Sequence, residues 1–244
     1  MARMWVQGAM AATDYIGNEL EIFQHAKHWK RYWGSHIRRH VMGSVLEVGG
    51  GIGATTRELR NGEQTLWVAL EPDVRLAAEM QRRTSDEPLD GPVSIVSGSI
   101  ASLRSDPMFD AIVYIDVLEH IDDDRGELIE AARRLRPGGR LVVLSPAHQF
   151  LFSEFDAAIG HYRRYSAKDL KAITPAGLAV ESICYLDSVG MLASLANRLL
   201  LRSGQPTEGQ IRFWDTFLVP PSRLLDPLLG HKVGKSVVGV WSKN

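Results

Sequence analysis

Apolar residues recur at helical spacing through residues 18–40, where Ile22, Ala26, Trp29, Trp33 and Ile37 follow one another at intervals of three and four. The spacing predicts one amphipathic helix. The pattern then changes. Residues 44–48 are a short apolar run with an acid, Glu47, near its end; residues 49–53 are glycine-dense; residues 54–60 read as a helix. A second unit follows, with a strand at 66–70, a Glu71-Pro72-Asp73 turn, a helix at 74–83, a loop at 86–92 and a strand at 93–96. Residues 109–115 are apolar toward both faces, as a buried parallel strand is. A helix at 124–135 is stopped by Pro137-Gly138-Gly139, and a fifth strand follows at 140–144. Strands alternating with helices predict an α/β fold, a parallel sheet covered on both sides.

Past residue 145 the rhythm breaks. Residues 146–165 are rich in His, Phe, Tyr and Arg and read as a loop that carries function. A short helix at 167–174, a sixth strand at 178–186, a strongly apolar helix at 188–201 and a last strand at 236–241 complete the chain. The long segment between the last two strands reads as an insertion. The expected division is an N-terminal helical cap (1–43), a sheet core (44–187 with 236–244) and a helical insertion (188–235). The insertion would be a lid, a contact for a second copy of the chain, or a membrane-facing surface.

Composition narrows the partners. The 244 residues carry a net charge of −1, so the concentrated positive field of a nucleic-acid binder is missing. One cysteine, Cys184, excludes an intramolecular disulfide and a cysteine metal cluster, and fits a reducing, cytoplasmic setting. The histidines show no metal-ligand spacing, so no metal is expected. No run reaches the ~20 apolar residues of a membrane span, and no signal peptide is legible at the N-terminus.

The sharpest local signal is Glu47-Val48-Gly49-Gly50-Gly51-Ile52-Gly53. Glycines at 49, 51 and 53 let the backbone turn sharply and approach a ligand, and the following helix offers its first amides. Glu71, ending the second strand, is placed for ribose hydroxyls. Gly49, Gly51 and Ala54 also fit the dinucleotide fingerprint, which keeps an NAD(P)-dependent oxidoreductase open. Glu47 weighs the other way: an acid before the turn repels a pyrophosphate and suits a cationic ligand.

The chain resembles the class I S-adenosylmethionine-dependent methyltransferases, specifically those with a type 11 or 12 methyltransferase domain. The resemblance is carried by the loop above with Leu70-Glu71-Pro72-Asp73, Phe109-Asp110-Ala111-Ile112, Asp116-Val117-Leu118-Glu119-His120-Ile121 and Leu135-Arg136-Pro137-Gly138-Gly139-Arg140-Leu141, in that order. It implies a Rossmann-like, seven-stranded, mostly parallel sheet with an antiparallel last strand. It implies S-adenosylmethionine as cofactor and S-adenosylhomocysteine as product. Glu47, Gly49, Gly50, Gly51 and Gly53 would hold the methionine part. Glu71 and Pro72 would lie at the ribose, Ser99 and Ile100 at the adenine, and Asp116 and Val117 beside the cofactor. Many relatives have an acid where this chain has Ser99.

Methyl transfer needs an aligned nucleophile and, for a hydroxyl or protonated amine, a base. The candidate bases are His148, His161 and His120. Substrate contacts are expected from Tyr15, His25 and Trp29 on the N-terminal helix and from His148, Phe152, Tyr162, Arg163, Arg164 and Tyr165. Arg163 and Arg164 suit an anionic group or a salt bridge to Asp156 or Glu154. The expected acceptor is a small molecule, with oxygen on a natural product, sugar or lipid-linked compound preferred. Nitrogen and carbon acceptors stay open, as does a module that binds S-adenosylmethionine without catalysis.

Overall fold

The computed structural model describes residue 5 and residues 19–89, 91–104, 108–196 and 207–244. Tyr15 and residues 197–206 of the insertion lie outside this set.

Seven strands form one sheet: β1 (Gly43–Val48), β2 (Gln64–Glu71), β3 (Val93–Ser97), β4 (Phe109–Ile115), β5 (Leu135–Pro146), β6 (Leu178–Leu186) and β7 (Ser236–Lys243). Their order is β3-β2-β1-β4-β5-β7-β6. β1 to β5 pair in parallel, and β7 is antiparallel to both β5 and β6. This is the Rossmann-like sheet that the resemblance implies. All strands fall where the alternation places them; β4 and β6 keep the expected bounds, and the other five run longer. β5 starts earlier than expected, because Leu135 already pairs with Phe109 before Pro137-Gly138-Gly139 shifts the register.

Each central strand is apolar toward both faces, so two cores form. On one face Leu46, Leu70, Ile112 and Leu141 pack with Leu128 and Ala131 of the helix Asp124–Arg134. On the other, Val45, Trp67, Val113 and Val142 pack with Trp29, Trp33 and Ile37. Helices cover both sides, as the strand–helix alternation predicts.

The N-terminal helix is broken. It comprises α1 (Glu19–Phe23) and α2 (Lys27–Ile37), with a turn between them. The break has a tertiary cause. The first amides of α2 find no local side-chain cap. The carboxylate of Asp215 accepts from His28 N at 3.1 Å and Trp29 N at 2.8 Å instead. That substitutes a distant acid for the missing cap.

Five helices then follow in chain order: α3 (Ala54–Leu59), α4 (Val74–Asp86), α5 (Asp124–Arg134), α6 (Glu154–Ala158) and α7 (Ala167–Ala172). The insertion holds α8 (Ser188–Ala196), α9 (Glu208–Phe213) and α10 (Val219–Leu228), and a π-helical turn at Trp214–Leu218 joins the last two. Pro220 and Pro221 open α10 and lack N–H groups, so the hydrogen-bond ladder cannot run through unchanged. Ile211, Trp214 and Val219 belong to the same core as α2. Buried acids fix this packing: Asp226 accepts from Tyr32 Oη at 2.7 Å and Asp187 N at 2.7 Å, and Asp187 accepts from Trp214 Nε1 at 2.7 Å. No helix among the described residues is long and apolar enough to cross a membrane.

Candidate active site

The carboxyl ends of β1, β2 and β4 open into one cavity of about 1830 Å³. That exceeds the ~300–1,000 Å³ of a typical single-ligand pocket, which leaves room for a donor and an acceptor together. Its floor is the glycine loop. Gly49 has φ +73°, and a β-carbon there would meet Val117 Cγ2 at 2.4 Å. Only glycine fits that bend. Gly51 N donates to Glu71 Oε2 at 2.7 Å, and Asp73 N donates to Glu71 Oε1 at 2.9 Å. Each Glu71 oxygen retains a lone pair, and burial raises its pKa. Asp73 caps α4 by accepting from Arg75 N at 2.7 Å.

Glu47 sits beneath this loop and does not line the cavity. Its Oε2 accepts from Trp67 Nε1 at 2.8 Å and from the Thr56 hydroxyl. Its Oε1 is buried with no hydrogen-bond partner among the described residues. Burial pushes the carboxyl up to about 7, against the hydrogen bonds from Thr56 and Trp67.

Across the cavity, the turn after β4 and the loop after β5 meet. Asp116 has φ +53°, a strained value for a residue with a side chain. Its side chain is exposed to the cavity, and desolvation by the surrounding walls raises its carboxyl to about 6. Glu119 is fully buried. Its Oε2 accepts from Ser145 Oγ at 2.9 Å, and its Oε1 has no hydrogen-bond partner among the described residues. Burial, then the charge of Asp116, raise its pKa well above the usual carboxylate range. His161 Nε2 lies 3.9 Å from that Oε1, while His161 Nδ1 is 3.0 Å from Asp156 Oδ1. Asp156 also accepts from Arg164 Nε at 2.8 Å, Arg164 Nη2 at 2.9 Å and Ser153 N at 2.8 Å. Burial opposes its ionisation, but these bonds and the Arg164 charge win and hold it well below the ordinary range. His120 packs edge-on against His161, centroids 4.4 Å apart. Burial, then the neighbouring His161, lower its pKa to about 4.

This geometry joins a bare glycine loop to an acid–histidine cluster on the strand ends of a sheet with an antiparallel seventh strand. Residues 46–143 match the family model described as "Methyltransferase domain". This segment is a methyltransferase domain. The chain is 31% identical over 139 residues to a demethylmenaquinone methyltransferase of Tropheryma whipplei, covering 56% of this chain and 55% of the relative. It is 33% identical over 144 residues to the ubiquinone/menaquinone biosynthesis C-methyltransferase UbiE of Proteus mirabilis, with the same coverage. The chain thus spans about half the length of the curated relatives it matches. In fold it is similar to Haemonchus contortus phosphoethanolamine N-methyltransferase 2, solved with phosphomonomethylethanolamine and S-adenosylhomocysteine. There the TM-score is 0.59 at 15% identity, covering 93% of this chain and 57% of that one.

The cavity takes up the expected residues unevenly. Gly49, Gly50, Gly51, Glu71, Pro72, Ser99, Asp116 and Val117 line the cavity, as do Trp29, Phe152, Tyr162, Arg164, His120 and His161. Ile100 does not; it is core. Gly53 starts α3 in a left-handed conformation behind the loop. His25 is exposed and outside the cavity lining.

Three expectations are corrected. His148 does not line the cavity: with φ +67° its backbone turns the ring onto Tyr185, stacked at 4.8 Å. Arg163 is held by Asp124 Oδ2 at 2.8 Å, and buried Tyr165 donates to that same oxygen at 2.8 Å, so both belong to the scaffold. Folding also brings Glu119, His120 and His161 within 4.8 Å of one another, a proximity that spacing along the sequence does not show.

Some lining groups were not singled out by the sequence. Glu119 passed as part of a family motif, although an acid set between Leu118 and His120 was the available signal. Lys235 leads into β7, lines the cavity and lies 4.0 Å over the Trp214 ring. Burial lowers its pKa. Nothing local in the sequence marks it.

Proposed function

We propose that this protein transfers a methyl group from S-adenosylmethionine to a small, largely apolar acceptor, with oxygen as the acceptor atom. The observation that carries the reading is the shared cavity, with the glycine loop and Glu71 on one wall and Glu119, His120 and His161 on the other. The residues present fit the cofactor. The loop is bare of side chains where a ligand must approach. Glu71, Asp73 and Asp116 give the cavity an acidic floor, which suits a cationic ligand and opposes a dinucleotide pyrophosphate. When bound, S-adenosylmethionine supplies an electrophilic methyl on a sulfonium whose departing group is neutral.

The chain's own residues then orient and exclude water. Gly49–Gly51 and Glu71 fix the donor side. Trp29, Trp33, Phe152 and Trp214 form apolar walls for the acceptor. The Asp156–His161 hydrogen bond fixes the imidazole so that Nε2 faces Glu119 and the cavity. A polar cluster held this way takes the proton of a hydroxyl as the new C–O bond forms. Gly190, Ala193 and Ser194 of α8 line the same cavity, which supports the insertion as a cover over the acceptor. The reaction takes place in the interior of one chain, and a contact through the insertion between copies is not required by it.

A second reading is carbon methylation, favoured by the curated relatives, one of which is named a C-methyltransferase. The test is calorimetry with S-adenosylhomocysteine, followed by radiolabelled methyl transfer to matched phenol, quinol and aliphatic alcohol acceptors. Binding with an acid-stable O-methyl product supports the proposal. A C-methyl product from the quinol supports the second reading, and absence of cofactor uptake overturns both.

A further inference from the structure

We infer that Glu119, His120 and His161 bind one divalent transition-metal cation on the acceptor side of the cavity. The proposal deepens the reading above, on which it rests for the identity of the neighbouring donor.

Three observations carry it. First, one ligand atom from each residue lies within 4.8 Å of the others, and all three residues line the cavity. Second, Glu119 Oε1 is buried without a hydrogen-bond partner among the described residues and points to His161 Nε2 at 3.9 Å. That is too long for a hydrogen bond. It is close to the ~3.3–3.5 Å between two ligands on one tetrahedral ion with bonds of ~2.0–2.1 Å. Third, His161 turns its other nitrogen to Asp156 at 3.0 Å, and Asp156 is itself fixed by Arg164 and Ser153. A metal-bound histidine characteristically donates its second N–H to a carboxylate in this way.

Two imidazoles and one carboxylate suit a first-row divalent ion, and three protein ligands leave a position open to the cavity. With the ion bound, Glu119 and His161 serve as its ligands in place of taking the proton directly, and an acceptor hydroxyl filling that position would be acidified by the ion and lose its proton to solvent through the open cavity. Its oxygen would then form the new bond to the methyl carbon as the carbon–sulfur bond breaks, leaving neutral S-adenosylhomocysteine. The ion makes its own distinction among acceptors, since it favours oxygen over carbon.

The test is titration of chelator-treated full-length protein with Co²⁺, read by visible absorbance, with S-adenosylhomocysteine affinity measured on the same sample. The expected result is one saturable equivalent, weakened at least about tenfold in E119Q and H161Q, with S-adenosylhomocysteine affinity unchanged. If E119Q does not fold, H120N gives the same comparison. Protein that binds S-adenosylhomocysteine but takes up no Co²⁺, or takes it up equally in the variants, overturns the metal site while leaving the methyltransferase reading intact. Loss of S-adenosylhomocysteine binding instead overturns that reading, and Co²⁺ uptake still decides the site.

Discussion

The carboxylate of Asp215 accepts the backbone N–H of Trp29 at 2.8 Å, joining positions 186 residues apart. The acid comes from the insertion and the amide from the N-terminal helix, so the two segments that flank the cavity are held together at this point. D215A leaves two amides without their acceptor. Unfolding in urea should show a loss of about 1–3 kcal/mol, whereas D215N, which keeps an acceptor oxygen, should lose less. Equal losses would show that the cap does not hold the helix.

Glu47 makes stability depend on pH. Its folded carboxyl titrates at about 7, above the ordinary value of 4.5. A raised acid binds its proton more tightly when folded, so the contribution is complete below pH 4.5 and is lost as pH rises through 7. The difference is roughly 3 kcal/mol, at about 1.4 kcal/mol per pKa unit. Denaturation of the wild type and E47Q from pH 4.5 to 7.5 should diverge, the variant keeping stability that the wild type loses. Parallel curves would remove Glu47 as the source.

Gly49 and Val117 are in contact across the loop. G49A puts a methyl group 2.4 Å from Val117 Cγ2 at φ +73°. We expect a loss of about 1–3 kcal/mol and weaker S-adenosylhomocysteine binding by calorimetry. V117A in the same chain should recover the steric part but not the conformational part, so the double variant ends between G49A and the wild type. Additive losses would contradict the contact.

His161 and His148 separate by position. H161Q should reduce kcat by about 10²–10⁴-fold with S-adenosylhomocysteine affinity retained. H148N, whose asparagine tolerates a positive φ, should stay within about threefold, as changes away from the chemistry do. The reverse order in a radiolabel assay would return the chemistry to the far side of β5.

The strands and the glycine loop were legible because they are local. The continuous apolar runs of residues 44–48 and 109–115, buried on both faces, and the turn at Gly49–Gly53 depend on neighbours a few positions away. The same holds for Asp73 capping α4. The α1–α2 break was not legible, because the acid that caps α2 lies near the other end of the chain. His148 and His161 looked alike in sequence, both in a polar aromatic loop after β5. A left-handed backbone turned one onto Tyr185, and Asp156 turned the other toward Glu119.

By itself, the sequence determined the order of elements, the sheet they build and the glycine turn that borders the cavity, since each follows from periodicity and backbone sterics. Only the tertiary structure decided which polar groups face one another at the strand ends. Glu119 and His161 come from different loops, and their partnership depends on where those loops converge above β4 and β5. Pairing across a cavity is a property of converging chain segments, and no spacing along one segment encodes it.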